Sequence, residues 1–199
     1  NVDVVIPFNP NATVSYTNVT GALTHTFGNA GSYIIRILDG SLFPRINFSN
    51  SPDKSKITII SKWGNNPWTT MESAFEGCDN LILDTSDTPN LSNVTSTNKM
   101  FKDADALVDN RNKIGTWDMS NVENMAQMFR NCDVFNEDLS NWDTSSAETF
   151  SRMFQDSPAF AQNLGNWDIS NVTSSGALSI LLITSSRAKM SPSFGNLSL

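Results

Sequence analysis

The 199-residue sequence holds one histidine, two cysteines, and charged side chains at only 17% of its positions. A single histidine, His25, excludes a His-rich zinc site within one chain. It lies in an alternating segment with no Ser, Cys or Asp pattern around it, so it reads as a structural polar residue. No Gly-rich loop of phosphate-binding spacing is present. No apolar run approaches the roughly 18 residues that a membrane-spanning helix needs. Basic residues are outnumbered 13 to 20, giving a net charge of −7, which argues against a broad phosphate-binding surface and hence against nucleic acid. The opening NVDVVIPF lacks the basic region and cleavage site of a signal peptide, so export cannot be read from it.

What the chain has in place of charge is Asn, Ser and Thr. With 39% hydrophobic residues it can bury a core, and its solubility rests on neutral polar groups, a balance that suits an extracellular, cell-surface or virion-surface protein. Asn-X-Ser/Thr sites stand at Asn11, Asn18, Asn47, Asn90, Asn93, Asn171 and Asn196; a chain this rich in those residues generates most of them by chance.

The strongest signal is an internal repeat. Trp117, Trp142 and Trp167 recur every 25 residues within IGTWDMSNV, LSNWDTSSA and LGNWDISNV. Twelve residues after the first two stand Phe129 and Phe154, preceded by Met128 and Met153. The same ruler links Trp63 to Phe75 and Pro89 to Phe101, so five repeats share one phase. Positions 5, 8, 11 and 12 after the Trp slot are mostly apolar at a helical spacing, and Ile60, Ile114, Leu139 and Leu164, three before it, mark a strand. Each repeat therefore reads as strand, loop, helix and return. Small residues follow each Phe at Cys78, Ala104, Cys132 and Ser157, and Leu81, Leu107, Phe135 and Phe160 close the apolar set. Units this short cannot bury their own apolar face, so they must stack and share one core. The predicted structural core comprises Trp63, Phe75, Cys78, Phe101, Trp117, Phe129, Cys132, Trp142, Phe154 and Trp167. Three extra residues between Phe101 and Trp117 place a loop insertion near positions 109–113.

These motifs resemble the BspA-like leucine-rich-repeat surface proteins: AFEGCDNL carries an A-F-x-x-C-x-x-L core, and WDMSNVENMAQMF carries the WDxSNV…MF half. The resemblance covers roughly positions 56–173. It implies a right-handed, leucine-rich-repeat-like α/β solenoid of about five strand-loop-helix turns, found on cell and viral surfaces and associated with adhesion. It implies no catalytic residue and no cofactor.

The ends differ from the middle. Residues 1–50 carry period-two segments separated by Asn, Gly and Pro, and THTFGNAGSYIIRI resembles the closing hairpin of PKD-like and immunoglobulin-like domains. This part reads as a β-rich cap or a small β-domain, followed by the repeat region at 51–174. In the last segment, 175–199, the repeat degenerates: Leu178 and Ser179 stand where Met-Phe is expected. The uncharged run ALSILLI, with Leu178, Ile180, Leu181, Leu182 and Ile183, is either a cap on the core or a contact surface for a partner. Arg187 and Lys189 are expected on the surface.

Two features invite chemical readings. Cys78 and Cys132 occupy one slot two repeats apart, which at about 4.8 Å per layer separates them by roughly 10 Å, beyond the approximate 7 Å bridging limit. They should be free and buried. Asp118, Asp143 and Asp168 would stack as a column, serving either as caps of Asx turns or as oxygen ligands for a hard cation. The tryptophans likewise pack in the core or form an aromatic ladder for glycans. The leading expectation is a non-catalytic surface module that recognises a protein or glycan partner. The alternative is a structural or decoration subunit of a virion or fibre, contacting neighbouring subunits through its caps.

Overall fold

The computed structural model describes residues 2–9, 12–19, 31–37 and 44–173. In the first part, β1 (Val2–Asn9) pairs antiparallel with β2 (Ala12–Val19) and with the short β3 (Arg36–Ile37), giving the sheet order β2-β1-β3. The β1–β2 register is irregular between Val2 and Val4 and again between Pro7 and Asn9. His25 and the first half of the THTFGNAGSYIIRI hairpin lie outside the described residues, as do ALSILLI, Arg187 and Lys189.

The repeats are not the strand-loop-helix turns that their spacing predicts. Among the described residues there is no α-helix. Helical backbone is limited to two three-residue 3-10 turns, Lys54–Lys56 and Ile114–Thr116. Strand in the repeat region is one parallel pair of two-residue strands, β4 (Ile59–Ile60) with β5 (Ile82–Leu83), plus isolated bridges such as Ser96 to Asn124 and Asn124 to Thr149. The expectation of an α/β solenoid is therefore overturned.

Hydrogen-bond geometry explains why. In the first repeat, Met71, Ser73, Phe75 and Gly77 donate their backbone N–H groups to the carbonyls of Ser96, Asn98, Met100 and Lys102 in the next repeat. Thr97, Lys99, Phe101 and Asp103 do the same toward Asn124, Ala126, Met128 and Arg130. Met125, Gln127, Phe129 and Asn131 continue the pattern to Thr149, Ser151, Met153 and Gln155, all twelve bonds measuring 2.7–3.1 Å. Every second N–H is thus committed to a neighbouring coil and is unavailable for a helix. The intervening N–H groups close local turns, as when Ala74 donates to Met71 and Cys78 to Phe75.

Two residues per coil take a left-handed backbone, at the third position of successive turns: Ser73 and Gly77, Lys99 and Asp103, Gln127 and Asn131, Arg152 and Asp156. That placement is the signature of type II turns in tandem. Tandem four-residue turns bring positions i, i+3, i+4 and i+7 to one side, as with Met71, Ala74, Phe75 and Cys78. A helix has the same template, so the apolar pattern alone reads as helical. The positions expected to mark strands mostly enter tight turns instead: Ile114, Leu139 and Leu164 each accept the backbone N–H of the tryptophan three residues on.

The coils stack over one continuous core. Phe75, Phe101, Phe129 and Phe154 form a column with ring centroids 5.7–5.8 Å apart and planes within 13° of parallel. Phe135 and Phe160 stack beside it, as do Trp142 and Trp167. An earlier rung precedes the five repeats: Thr69 donates to Pro44, Phe48 donates to Ala74, and the Phe48 ring packs on Phe75 at 5.9 Å.

Candidate functional site

The tryptophan slot builds itself into the stack through its indole. Trp142 Nε1 donates to the Ile114 carbonyl at 2.8 Å, and Trp167 Nε1 to the Leu139 carbonyl at 2.9 Å. Each of those carbonyls also accepts the backbone N–H of its own coil's tryptophan. Both lone pairs are used, which ties one coil's entry to the next. Trp117 follows the degenerate coil that carries Pro89, and its buried Nε1 has no such partner among the described residues. Its ring instead meets Trp63 edge-on at 5.5 Å. Trp63, Trp117, Trp142 and Trp167 are all buried, so the described stack has no exposed indole ladder.

Cys78 and Cys132 are free thiols with no exposed surface. Burial pushes both up to about 12, far from the thiolate that a nucleophile or a soft-metal ligand requires. Cys132 Sγ lies 3.1 Å from the Phe101 carbonyl of the preceding coil, and Ser157, one coil later in the same slot, donates its Oγ–H to the Phe129 carbonyl. The slot takes small side chains because the neighbouring backbone passes this close.

Asp118, Asp143 and Asp168 are exposed, and each Oδ1 accepts the N–H of the serine two residues on: Ser120 at 3.2 Å, Ser145 at 3.0 Å and Ser170 at 2.8 Å. Asn47 and Asn90 do the same with Ser49 and Ser92. The Ser145 and Ser170 N–H bonds, followed by the serine hydroxyls, hold Asp143 and Asp168 below the usual carboxylate range. Among the described residues, no group of three or more His, Cys, Asp or Glu side chains is placed to hold a metal ion. Next to this column, side-chain amides and hydroxyls cross-link successive coils: Asn121 donates to Ser92 O, Ser146 to Ser120 O, and Asn171 to Ser145 O.

Sequence reasoning missed two polar features. Asp109 is buried at the start of the insertion. Its carboxylate accepts the N–H groups of Arg111, Lys113 and Ile114, while its own N–H donates to Glu137 Oε1 of the next coil at 3.1 Å. Arg111 reaches back to Asp84 at 2.7 Å, so the inserted loop is pinned from the coils on both sides. Burial, and then the charge of Asp109, push Glu137 above its ordinary value, although its bond from the Asp109 N–H opposes this. An Asp opening a loop of polar residues is an Asx-turn signal, and it was the only clue available in sequence. The second feature is an ion cluster in which Lys102 contacts Glu76 at 3.0 Å and Asp103 at 2.7 Å. Burial works against ionisation of both carboxylates, but the hydrogen bonds and charge of Lys102 outweigh it and hold them low.

Among the described residues, no helix is long and apolar enough to cross a membrane. The model of one family, described as Mycoplasma protein of unknown function, DUF285, matches residues 55–179, well over half of the chain. The chain belongs to that family. No curated protein and no solved structure matches it.

Proposed function

We propose that this member of the DUF285 family is a non-catalytic binding module, displayed outside a cell or on a particle surface, that recognises a protein or glycan partner through its polar outer rows. One observation carries the reading: the two thiols and the carboxylates of Asp109, Asp118, Asp143 and Asp168 are built into the scaffold, where they cap turns or fill the core. Both thiols are buried. Asp109 holds three backbone N–H groups, and Asp118, Asp143 and Asp168 each hold one. What the stack offers a partner is a periodic array of carboxylates, amides and hydroxyls on a rigid frame, suited to hydrogen-bonded recognition of a polar surface. The sequence resemblance to BspA-like surface proteins supports the same reading and adds adhesion as the purpose.

The direct test is a glycan and protein-ligand binding screen on the full chain. The reading expects saturable binding that weakens when Asp143 and Asp168 are changed to Ala. Absence of binding to any polar partner, or turnover of a bound ligand, would count against it.

A second reading, as a structural subunit of a virion or fibre, draws on the uncharged run at positions 177–183. It predicts concentration-dependent association in light scattering, whereas the first reading predicts that recognition does not need self-association.

A further inference from the structure

The stretch that follows each small buried residue turns two kinds of side chain outward. In the first repeat, Asp79 and Ile82 stand between buried Cys78, Leu81 and Leu83. In the second, Asp105 and Val108 stand between buried Ala104, Leu107 and Asp109, and in the third Asp133 and Val134 lie between Cys132 and Phe135. Backbone bonds set these stretches one above another: Ala106 donates to Asp79 at 3.0 Å, Leu83 to Val108 at 2.9 Å, and Ile59 pairs with Ile82 in the β4–β5 ladder. Two rows result along the stack. One is Asp79, Asp105 and Asp133, a carboxylate per coil. Beside it runs an apolar row of Ile59, Ile82 and Val108, joined by Val134, in which Ile59 is 58% exposed and Val134 50%.

The scaffold answers neither row. None of the three aspartates enters an ion pair among the described residues, whereas Glu76, Asp84 and Asp103 all do. Burial, and then the charges of Asp133, Asp79 and Asp103, push Asp105 above its ordinary value, as a column of like charges without a cation does. That column repels nucleic acid, an anionic membrane and a second copy of the same face. The rows also hold no aromatic ring on which a sugar could stack. A protein that carries basic groups beside apolar ones complements both rows at once.

Spacing selects the shape of that protein. Stacked layers lie about 4.8 Å apart. A helix lying along the stack rises about 5.4 Å per turn, so one side chain per turn stays over each coil with a drift of only about 1 Å across three coils. An extended strand repeats on one face every ~6.7 Å and drifts by about 4 Å over the same span. We infer that the two rows form a docking surface for a basic amphipathic helix of a partner protein. Its lysines or arginines lie over Asp79, Asp105 and Asp133, and its apolar stripe lies on Ile82, Val108 and Val134. This surface uses a different stretch of each coil from the Asp118, Asp143 and Asp168 row and does not depend on it.

Binding of two synthetic peptides to the full chain, followed by fluorescence anisotropy, tests this. One peptide places lysines and leucines in two adjacent stripes at helical spacing; the other has the same composition in an order that gives no common face. The first should bind saturably and about tenfold more tightly than the second. Asp105→Lys with Asp133→Lys should weaken it by about tenfold or more, and a peptide with glutamate in place of lysine should then bind the altered chain. Val134→Ser should weaken it by about threefold. Glu123→Lys with Glu148→Lys makes the same change in net charge at exposed residues elsewhere on the coils and should leave binding within about twofold. Unchanged urea midpoints in these variants assign the losses to the surface and not to unfolding. Equal binding of the two peptides, equal losses from the two pairs of reversals, or no binding at all would overturn the inference. A partner whose binding depends on Asp143 and Asp168 but ignores Asp105 and Asp133 would overturn it too, while leaving the polar-row reading in place.

Discussion

Replacing Trp142 with Phe and, separately, Trp117 with Phe sets two buried indoles against each other that differ in one respect. Both lie in the same slot of neighbouring coils, and both exchanges remove the same atoms, so the packing loss is roughly common to the two. Trp142→Phe also deletes the 2.8 Å bond to the Ile114 carbonyl, a net loss of about 1 kcal/mol. Trp117→Phe instead removes a buried donor with no partner among the described residues, which relieves about 1–3 kcal/mol of desolvation. Trp142→Phe should therefore be less stable than Trp117→Phe by about 2–4 kcal/mol. Urea unfolding followed by circular dichroism gives the comparison directly, provided the slopes match that of the unaltered chain. If Trp117→Phe proves as destabilising as Trp142→Phe, or more so, the indole-to-carbonyl tie is not what fixes the tryptophan period.

Other substitutions and conditions follow from the same geometry. A Cβ at Gly115 would overlap the Asp138 carbonyl oxygen of the next coil, so Gly115→Ala should cost about 1–3 kcal/mol in the same urea assay. Cys78 and Cys132 should resist a thiol reagent at pH 8 in the folded protein and both react once it is unfolded, because burial holds each thiol protonated. Glu137 has a raised value in the folded state, so its ionised form is the destabilised one. Glu137→Gln, which keeps an acceptor for the Asp109 N–H, should therefore be more stable than the unaltered chain at pH 7. That advantage should shrink as the pH falls through the folded value and vanish below the unfolded value, near about 4.3. Asp143 and Asp168 shift the other way. Their contribution is present above the unfolded carboxylate value and lost as the pH falls through the lowered folded one, so Asp143→Asn should flatten the acid limb of a stability-versus-pH curve.

The sequence carried the period, the phase and the identity of the buried side chains, because stacking forces the same size and polarity into the same slot on every coil. Trp-to-Phe spacing and the small residue after Phe are legible for that reason. The backbone between them was not. Met71, Ala74, Phe75 and Cys78 satisfy a helix template and a tandem-turn template equally well, and only the destination of alternate N–H groups separates the two. The clue that helices were wrong lies in residues such as Ser73, Lys99, Gln127 and Arg152, which carry no residue-type signal for a left-handed backbone. Asp109 was equally hidden, since its role depends on an insertion closing onto three N–H groups and on Glu137 one coil away. In the Asp118, Asp143 and Asp168 column, serine two residues on was enough to suggest the Asx turn that the structure contains.

Whether the coils are tandem turns or helices is decided most directly at Lys99, which has a φ of 56° and no side-chain hydrogen bond among those described. The measurement is the stability difference between Lys99→Gly and Lys99→Ala. A left-handed position favours glycine: relief of about 1–2 kcal/mol of steric strain exceeds the roughly 0.5–1 kcal/mol of added unfolded-chain entropy. Lys99→Gly should therefore be the more stable of the two, by up to about 1 kcal/mol. In a helix the sign reverses, with glycine worse than alanine by about 1 kcal/mol, and that result would contradict the account of the fold.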